Sequence, residues 1–342
     1  MQISGYDVKV NGKYHISNGA FCPEQSGTYI EFQGHIRKIE ADIVGKSFDY
    51  PAFLAIIDNE TDKMQEDSES VPWLEGNADH VYFLEVKNGS DRRVLYESDS
   101  AKDITVRIIK ITEEQYGTVA IQKLDIDGDV VPTGDRDKRF LFIGDSITCG
   151  YGIEGVDGEI FTTASENFLK AYPYLLAEKM YADYDTLCWS GDGISSRWIP
   201  EEIDEPLRNS LIPELFRKDL QKNASGSGRQ YTHIFVNIGT NDASYTRGVP
   251  QREERFAELY KAFLTEVHEA YTAAKIYAVY EVMERSLAPV IQKIVCELKN
   301  DGMRIEYLDC SGNYALDAVD GHPSEADHRA LAERIRSTII SR

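Results

Sequence analysis

Residues 140–152 read FLFIGDSITCGYG, and the organisation of the chain follows from this stretch. Phe140, Leu141, Phe142 and Ile143 form a short apolar run that ends abruptly in Gly144-Asp145-Ser146. A buried parallel strand has this form where it delivers a side chain to the carboxyl edge of its sheet. Small residues there let the backbone turn sharply and leave the Ser146 hydroxyl accessible. Taken alone, Gly-Asp-Ser fits an ordinary strand-to-helix turn in which Asp145 or Ser146 caps the helix. What lies further along the chain weighs against that minimal reading.

Beyond residue 136, strands and helices alternate. Apolar runs at 140–143, 185–188, 234–238, 276–279 and 305–308 predict strands. The patterns over 164–181, 251–274, 283–300 and 324–340 predict helices. Such alternation predicts a parallel sheet covered on both faces, with ligands outside the carboxyl ends of its strands. Residues 223–228, Asn-Ala-Ser-Gly-Ser-Gly, read as a flexible surface loop.

Residues 1–135 differ. Alternating, β-rich runs recur at 28–32, 53–57, 81–86, 104–111 and 118–124, separated by turn signals at Asn11-Gly12, Asn88-Gly89-Ser90 and Asp127-Gly128. No amphipathic helix is apparent there, so this part predicts an antiparallel β-sandwich, jelly-roll-like in type. Trp73 is expected in its core or on its surface. Asp125, Asp127 and Asp129 resemble the start of a calcium loop. The remaining ligands, including the distal glutamate, are missing, and a hairpin turn is the expectation. The Pro132-Thr133-Gly134 region marks the boundary, giving domains 1–135 and 136–342.

The 342 residues carry a formal net charge of -21, which argues against nucleic acid or an anionic membrane as partner, since both need a basic face. The five cysteines (Cys22, Cys149, Cys188, Cys296 and Cys310) are far apart and show no C-x-x-C pair, so neither zinc nor a disulfide framework is indicated. The opening residues show no basic-then-apolar signal pattern, and no run reaches membrane-spanning length. The expected location is cytoplasmic, or secreted if a signal segment has been trimmed from the sequence.

Four polar clusters fall at or near the ends of the predicted strands: Gly144-Asp145-Ser146, Ser190-Gly191-Asp192-Gly193, Gly239-Thr240-Asn241-Asp242 and Asp320-Gly321-His322-Pro323. The chemistry that needs this set is acyl transfer. Ser146 is a weak nucleophile until a base takes its proton. His322 has the intrinsic pKa for that task, and Asp320 can hold the imidazole in the right tautomer. The Ser146 and Gly191 backbone N–H groups and the Asn241 side-chain amide can supply the oxyanion donors. Asp242 is expected to cap the segment after it or to hold the loop. The other histidines compete poorly. His15, His35 and His80 lie in the N-terminal part, His268 and His328 on helices, and His233 at a strand start. No metal or cofactor is called for.

These blocks resemble those of the SGNH, or GDSL-type, serine hydrolases. More narrowly, FIGDSITCGYG, ENFLKAYPYLLAEKM (166–180), SGDGISSRW (190–198) and DGHPS (320–324) resemble carbohydrate esterase family 2. The motif match covers about 140–342. The resemblance implies a flavodoxin-like three-layer α/β/α catalytic domain behind an N-terminal β-sandwich, and deacetylation of plant polysaccharides such as xylan and glucomannan. It favours Gly191 over Gly193 as the oxyanion donor. Many members carry tryptophan just before the catalytic histidine; here that position is Gly321, so Tyr151, Trp189 and Trp198 become the candidate sugar platforms, with Asp145 and Arg197 as further substrate contacts. Some members orient the histidine with a backbone carbonyl, which leaves Asp320 and a carbonyl both open. The α/β-hydrolase elbow G-x-S-x-G is absent at Ser146.

The expected activity is therefore removal of acetyl groups from oligosaccharides, manno- and glucomanno-oligosaccharides first and xylo-oligosaccharides next, with no obligate protein partner. A GDSL-type lipid or small-ester esterase is the alternative enzyme. A carbohydrate-binding protein with a vestigial site is the alternative of another class.

Overall fold

The computed structural model describes residues 1–60, 81–209, 211–223 and 229–341. Trp73, His80 and residues 224–228 of the expected loop lie outside the described residues. The chain divides into two units: Met1–Asp137 with Thr162–Leu169, and Lys138–Phe161 with Lys170–Arg342.

In the second unit, five strands form one parallel sheet: β1 (Lys138–Gly144), β2 (Ala182–Cys188), β3 (His233–Asn237), β4 (Lys275–Tyr280) and β5 (Ile305–Asp309), in the order β2-β1-β3-β4-β5. Each expected strand is present, one to three residues longer at an end or shifted by one. Gly144 lies level with Cys188 on one side and Asn237 on the other, so three strands end together. The strand order reverses at β1, the switch point where doubly wound sheets open a crevice.

Alternation along β1 builds the two faces. Phe140 and Phe142 point one way into a row of rings with Phe235, and Phe142 meets Tyr172 edge-on at 5.9 Å. Tyr172 opens α2 (Tyr172–Lys179), which packs with α7 (Glu325–Ile340). Leu141 and Ile143 point the other way, into a core shared with α3 (Ile212–Asn223), α5 (Pro250–Ala270) and α6 (Ala288–Asn300). The buried positions Phe256, Tyr260, Phe263, Leu264 and Val267 give α5 one apolar stripe.

Two helix expectations are corrected. The span 164–181 is not one helix. Thr163–Ser165 and Phe168–Lys170 are short 3-10 turns, and α2 begins only at Tyr172, with Pro173 in its first turn. The break has a packing cause. Thr163 Oγ1 donates to the Pro51 carbonyl at 2.7 Å, Phe168 N donates to Ile111 at 3.1 Å, and the Phe168 ring lies so close to Gly27 that a Cβ there would come within 2.4 Å of it. Helix α6 starts at Ala288 rather than 283, with Pro289 in its first turn. Helix α3 and the short α1 (Ser146–Cys149) and α4 (Thr240–Thr246) had no separate sequence signal.

The first unit is antiparallel throughout its named strands. Three long ones, Tyr29–Ser47, Gly89–Lys110 and Gly117–Pro132, carry its core, including Ile30, Phe32, Ile39, Val106, Ile108 and Leu124. Asp127-Gly128 is not a hairpin turn. It sits inside a strand at a bulge, where pairing slips from Lys38 to Ile36 and Gly128 takes φ 152°. The three aspartates form no calcium loop: Asp125 pairs with Arg92 and Lys123, and Asp127 with Arg37.

Candidate active site

The site belongs wholly to the second unit. Strand β1 ends at Gly144, where a Cβ would lie 1.9 Å from Thr148 Oγ1; only glycine lets the chain turn straight into α1. Asp145 caps that helix, its Oδ1 accepting from Ile147 N at 3.1 Å. Asp145 is fully buried, and its carboxylate accepts from Ile147 N and from the Asn241 side-chain amide.

Ser146 follows, and its Oγ lies 2.8 Å from Nε2 of His322, 176 residues away in sequence. The other ring nitrogen, Nδ1, lies 3.0 Å from the Val319 carbonyl. A carbonyl can only accept, so the proton sits on Nδ1 and Nε2 is left to accept from the serine hydroxyl. Burial lowers the His322 pKa below the ordinary 6.5, against the smaller raising influences of the Val319 carbonyl and Asp320. The pair can therefore move a proton from oxygen to nitrogen. Because the neutral imidazole is the competent form, hydrolysis should fall as pH is lowered through a value below 6.5; a pH–rate profile of kcat/KM checks this.

Of the two partners that sequence left open for Nδ1, the structure shows the carbonyl. The Asp320 carboxylate is turned away and accepts from the Tyr151 hydroxyl at 2.9 Å. This orientation goes with a left-handed backbone at Asp320 (φ 54°, ψ 32°) and at Gly321 (φ 68°).

Two further loops complete the edge. Asn241, at the start of α4, donates from Nδ2 to the Asp192 carbonyl at 2.8 Å and to Asp145 Oδ2 at 3.4 Å. The buried Asp242 holds the 190–196 loop, accepting from the backbone N–H groups of Ile194, Ser195 and Ser196 and from the Ser195 hydroxyl. Among the described residues, the Ser146 and Gly191 backbone N–H groups donate to no other protein group. Gly191 takes φ 82°, whereas Gly193 is fixed by crowding: a Cβ would meet Ser196 O at 2.2 Å and Asp242 Oδ2 at 2.5 Å. Gly193→Ala should therefore destabilise the fold by about 3 kcal/mol, read from a denaturant midpoint.

The expected sugar contacts separate. Trp189 is partly buried against the main core. Arg197 is engaged by the loop, pairing with the buried Asp192 at 3.0 Å and donating to Ser190 O at 3.3 Å. Tyr151 is stacked on Phe161 at 3.9 Å on one side, and its centroid lies 4.6 Å from that of His322 on the other. Neither face is left for a sugar. Trp198 alone among these candidates is largely exposed, 57% accessible as a residue, and its backbone N–H donates to Gly191 O at 2.9 Å.

His328 is a buried structural residue whose Nδ1 accepts from Tyr172 N at 3.1 Å. His233 sits at the start of β3, its pKa lowered to about 4 by burial and nearby lysines. Among the described residues, no group of three or more His, Cys, Asp or Glu side chains is placed to hold a metal ion, and no helix is long and apolar enough to cross a membrane. Sequence reading left a backbone carbonyl open without pointing to Val319, and it missed the Phe161 stack and the Asp192–Arg197 pair. None of these leaves a motif, because each depends on backbone direction or on chain segments far apart.

A parallel sheet that sets a serine at the end of its first strand against a late histidine has the SGNH type of α/β fold. The chain belongs to the GDSL-like lipase/acylhydrolase family, whose pattern matches residues 142–338. Its structural neighbours include family two carbohydrate esterases. One, from Clostridium thermocellum in complex with cellohexaose, superposes with a TM-score of 0.81 at 21% identity, covering 98% of each chain. An acetylxylan esterase / glucomannan deacetylase of Cellvibrio japonicus is 25% identical over 70% of this chain and 68% of its own length. The cellulase/esterase CelE of Acetivibrio thermocellus is 28% identical over 67% of this chain, and the match spans only 29% of that longer protein.

Proposed function

We propose that the chain is a carbohydrate O-acetyl esterase acting on plant-derived oligosaccharides, with acetylated manno- and glucomanno-oligosaccharides preferred and xylo-oligosaccharides next. The observation that carries this reading is the 2.8 Å contact between Ser146 Oγ and a His322 whose tautomer is set by a carbonyl. Ser146 attacks the acetyl carbon as His322 takes its proton. His322 then protonates the departing sugar oxygen, which leaves as a hydroxyl, and water, deprotonated by the same imidazole, attacks the acetyl-enzyme and releases acetate and the free serine. The Ser146 and Gly191 N–H groups and the Asn241 amide receive the negative oxygen. Trp198 is the proposed stacking surface for the acceptor sugar. The first unit is read as a jelly-roll-like accessory fold, on the strength of its long, bulged antiparallel strands.

The test is mass-spectrometric profiling of defined acetylated manno-, glucomanno- and xylo-oligosaccharides, with acetyl and octanoyl esters compared alongside. Acetate release with manno-type preference supports the proposal. Activity that rises with acyl length would assign the chain to lipid or small-ester hydrolysis instead.

A further inference from the structure

We propose that Tyr151 and Asp320 form a latch that holds the 319–322 turn in the shape that presents the Val319 carbonyl to the catalytic imidazole. The inference rests on the reading of Ser146 and His322 as nucleophile and base, and it makes both latch residues positioning residues rather than a third catalytic acid and a sugar platform.

The turn needs holding. Two successive residues, Asp320 and Gly321, take φ 54° and 68°, and the first is not glycine. Aspartate tolerates the left-handed region better than most residues, but holding it there still costs free energy that its surroundings must offset. Here the fixing group is the Tyr151 hydroxyl, donating to Asp320 Oδ2 at 2.9 Å. The Tyr151 ring is itself held, stacked within 6° of parallel on Phe161. The turn then directs the Val319 carbonyl so that it receives both the His322 backbone N–H at 3.2 Å and the ring Nδ1–H at 3.0 Å.

The same latch ties the two halves of the catalytic pair together. Tyr151 leaves the short helix that carries the nucleophile, and its own N–H donates to Ser146 O at 3.2 Å. Its neighbour Gly152 lies against Val319, which donates its N–H to Gly152 O at 3.4 Å; a Cβ at 152 would come within 2.7 Å of Val319 Cβ. Serine and histidine segments thus meet along one seam, and the hydroxyl–carboxylate bond closes it. A carboxylate is not required for this, since any acceptor oxygen at the same place would serve.

The test compares Asp320→Asn, Asp320→Ala, Tyr151→Phe and the Tyr151→Phe/Asp320→Ala double variant in the full chain. The readouts are kcat and KM for acetate release, the pH profile and the melting temperature. A latch predicts that Asp320→Asn stays within about threefold of the parent, because an amide oxygen still accepts from Tyr151. Its acid limb should move to lower pH, since the carboxylate's raising influence on His322 is gone. Asp320→Ala and Tyr151→Phe should each lower kcat by about 10- to 100-fold with little change in KM, and the double variant should fall no further than the worse single one. Asp320→Asn as damaging as Asp320→Ala would show that the charge carries the effect and overturn the latch. So would a Tyr151→Phe variant equal to the parent, or losses that add. If Asp320→Ala fails to fold, Tyr151→Phe and Asp320→Asn still decide between the outcomes. A Ser146→Ala chain that stays active overturns the nucleophile reading itself, a failure distinct from that of the latch.

Discussion

Ser146→Ala is expected to lower kcat for acetate release by on the order of 10⁶-fold while leaving the fold intact. The hydroxyl's hydrogen bond in the structure is to Nε2 of His322, so among the described residues its removal leaves that ring nitrogen alone without its partner. His322→Ala should cost a similar factor, since an unassisted serine hydroxyl is a poor nucleophile near neutrality. The double variant should be scarcely worse than either single one, because the two act as one unit. The measurement is acetate release by each variant with the melting temperature in parallel. An alanine variant that keeps even a tenth of the parent rate would remove Ser146 from the chemistry.

The second large effect is expected at Asn241. Its Nδ2 carries two protons. One is held by the Asp192 carbonyl at 2.8 Å, which fixes the plane of the amide, and the other, donated at 3.4 Å to Asp145 Oδ2 in the structure, is the proposed donor that turns to the oxyanion. Asn241→Ala should lower kcat by about 10²–10³-fold, with KM changing far less, because the bond matters when negative charge develops. Asn241→Asp should do worse, since a carboxylate would repel the oxygen it faces. Equal losses in kcat and rises in KM would instead assign Asn241 to substrate binding.

Much of this site is legible in the sequence because strand ends announce themselves. Phe140 to Ile143 followed by Gly144 predicts a strand and its stop, and Ile234 to Ile238 followed by Gly239 does the same. A parallel sheet then brings both stops to one edge without further information. The turn at 319–322 was not legible in this way. Whether His322 meets a carboxylate or a carbonyl depends on the left-handed backbone at Asp320, and no residue pattern distinguishes a turned-away aspartate from a facing one. Tyr151 misled for a related reason. A tyrosine beside a nucleophile reads as a sugar platform, but Phe161 covers one face and His322 lies against the other. The helix expected over 164–181 failed because its apolar positions serve two different cores. Phe168 packs in the first unit and Tyr172 in the second, and a periodic pattern does not say which core it faces.

That divided stretch bears on how such a protein can be rebuilt or recombined. A cut after Asp137 would look like a clean separation of an N-terminal module, yet residues 162–169 would go with the wrong half. Freed from its neighbours, the segment would expose the wholly buried Phe168 ring and release Glu166, whose carboxyl is held above its usual pKa by burial and by Glu113. Swapping modules at the apparent junction would therefore orphan a peptide from the interior of the β unit. A transplant that keeps both folds sound has to carry that inner strip along with the first 137 residues, as two pieces of chain moved together.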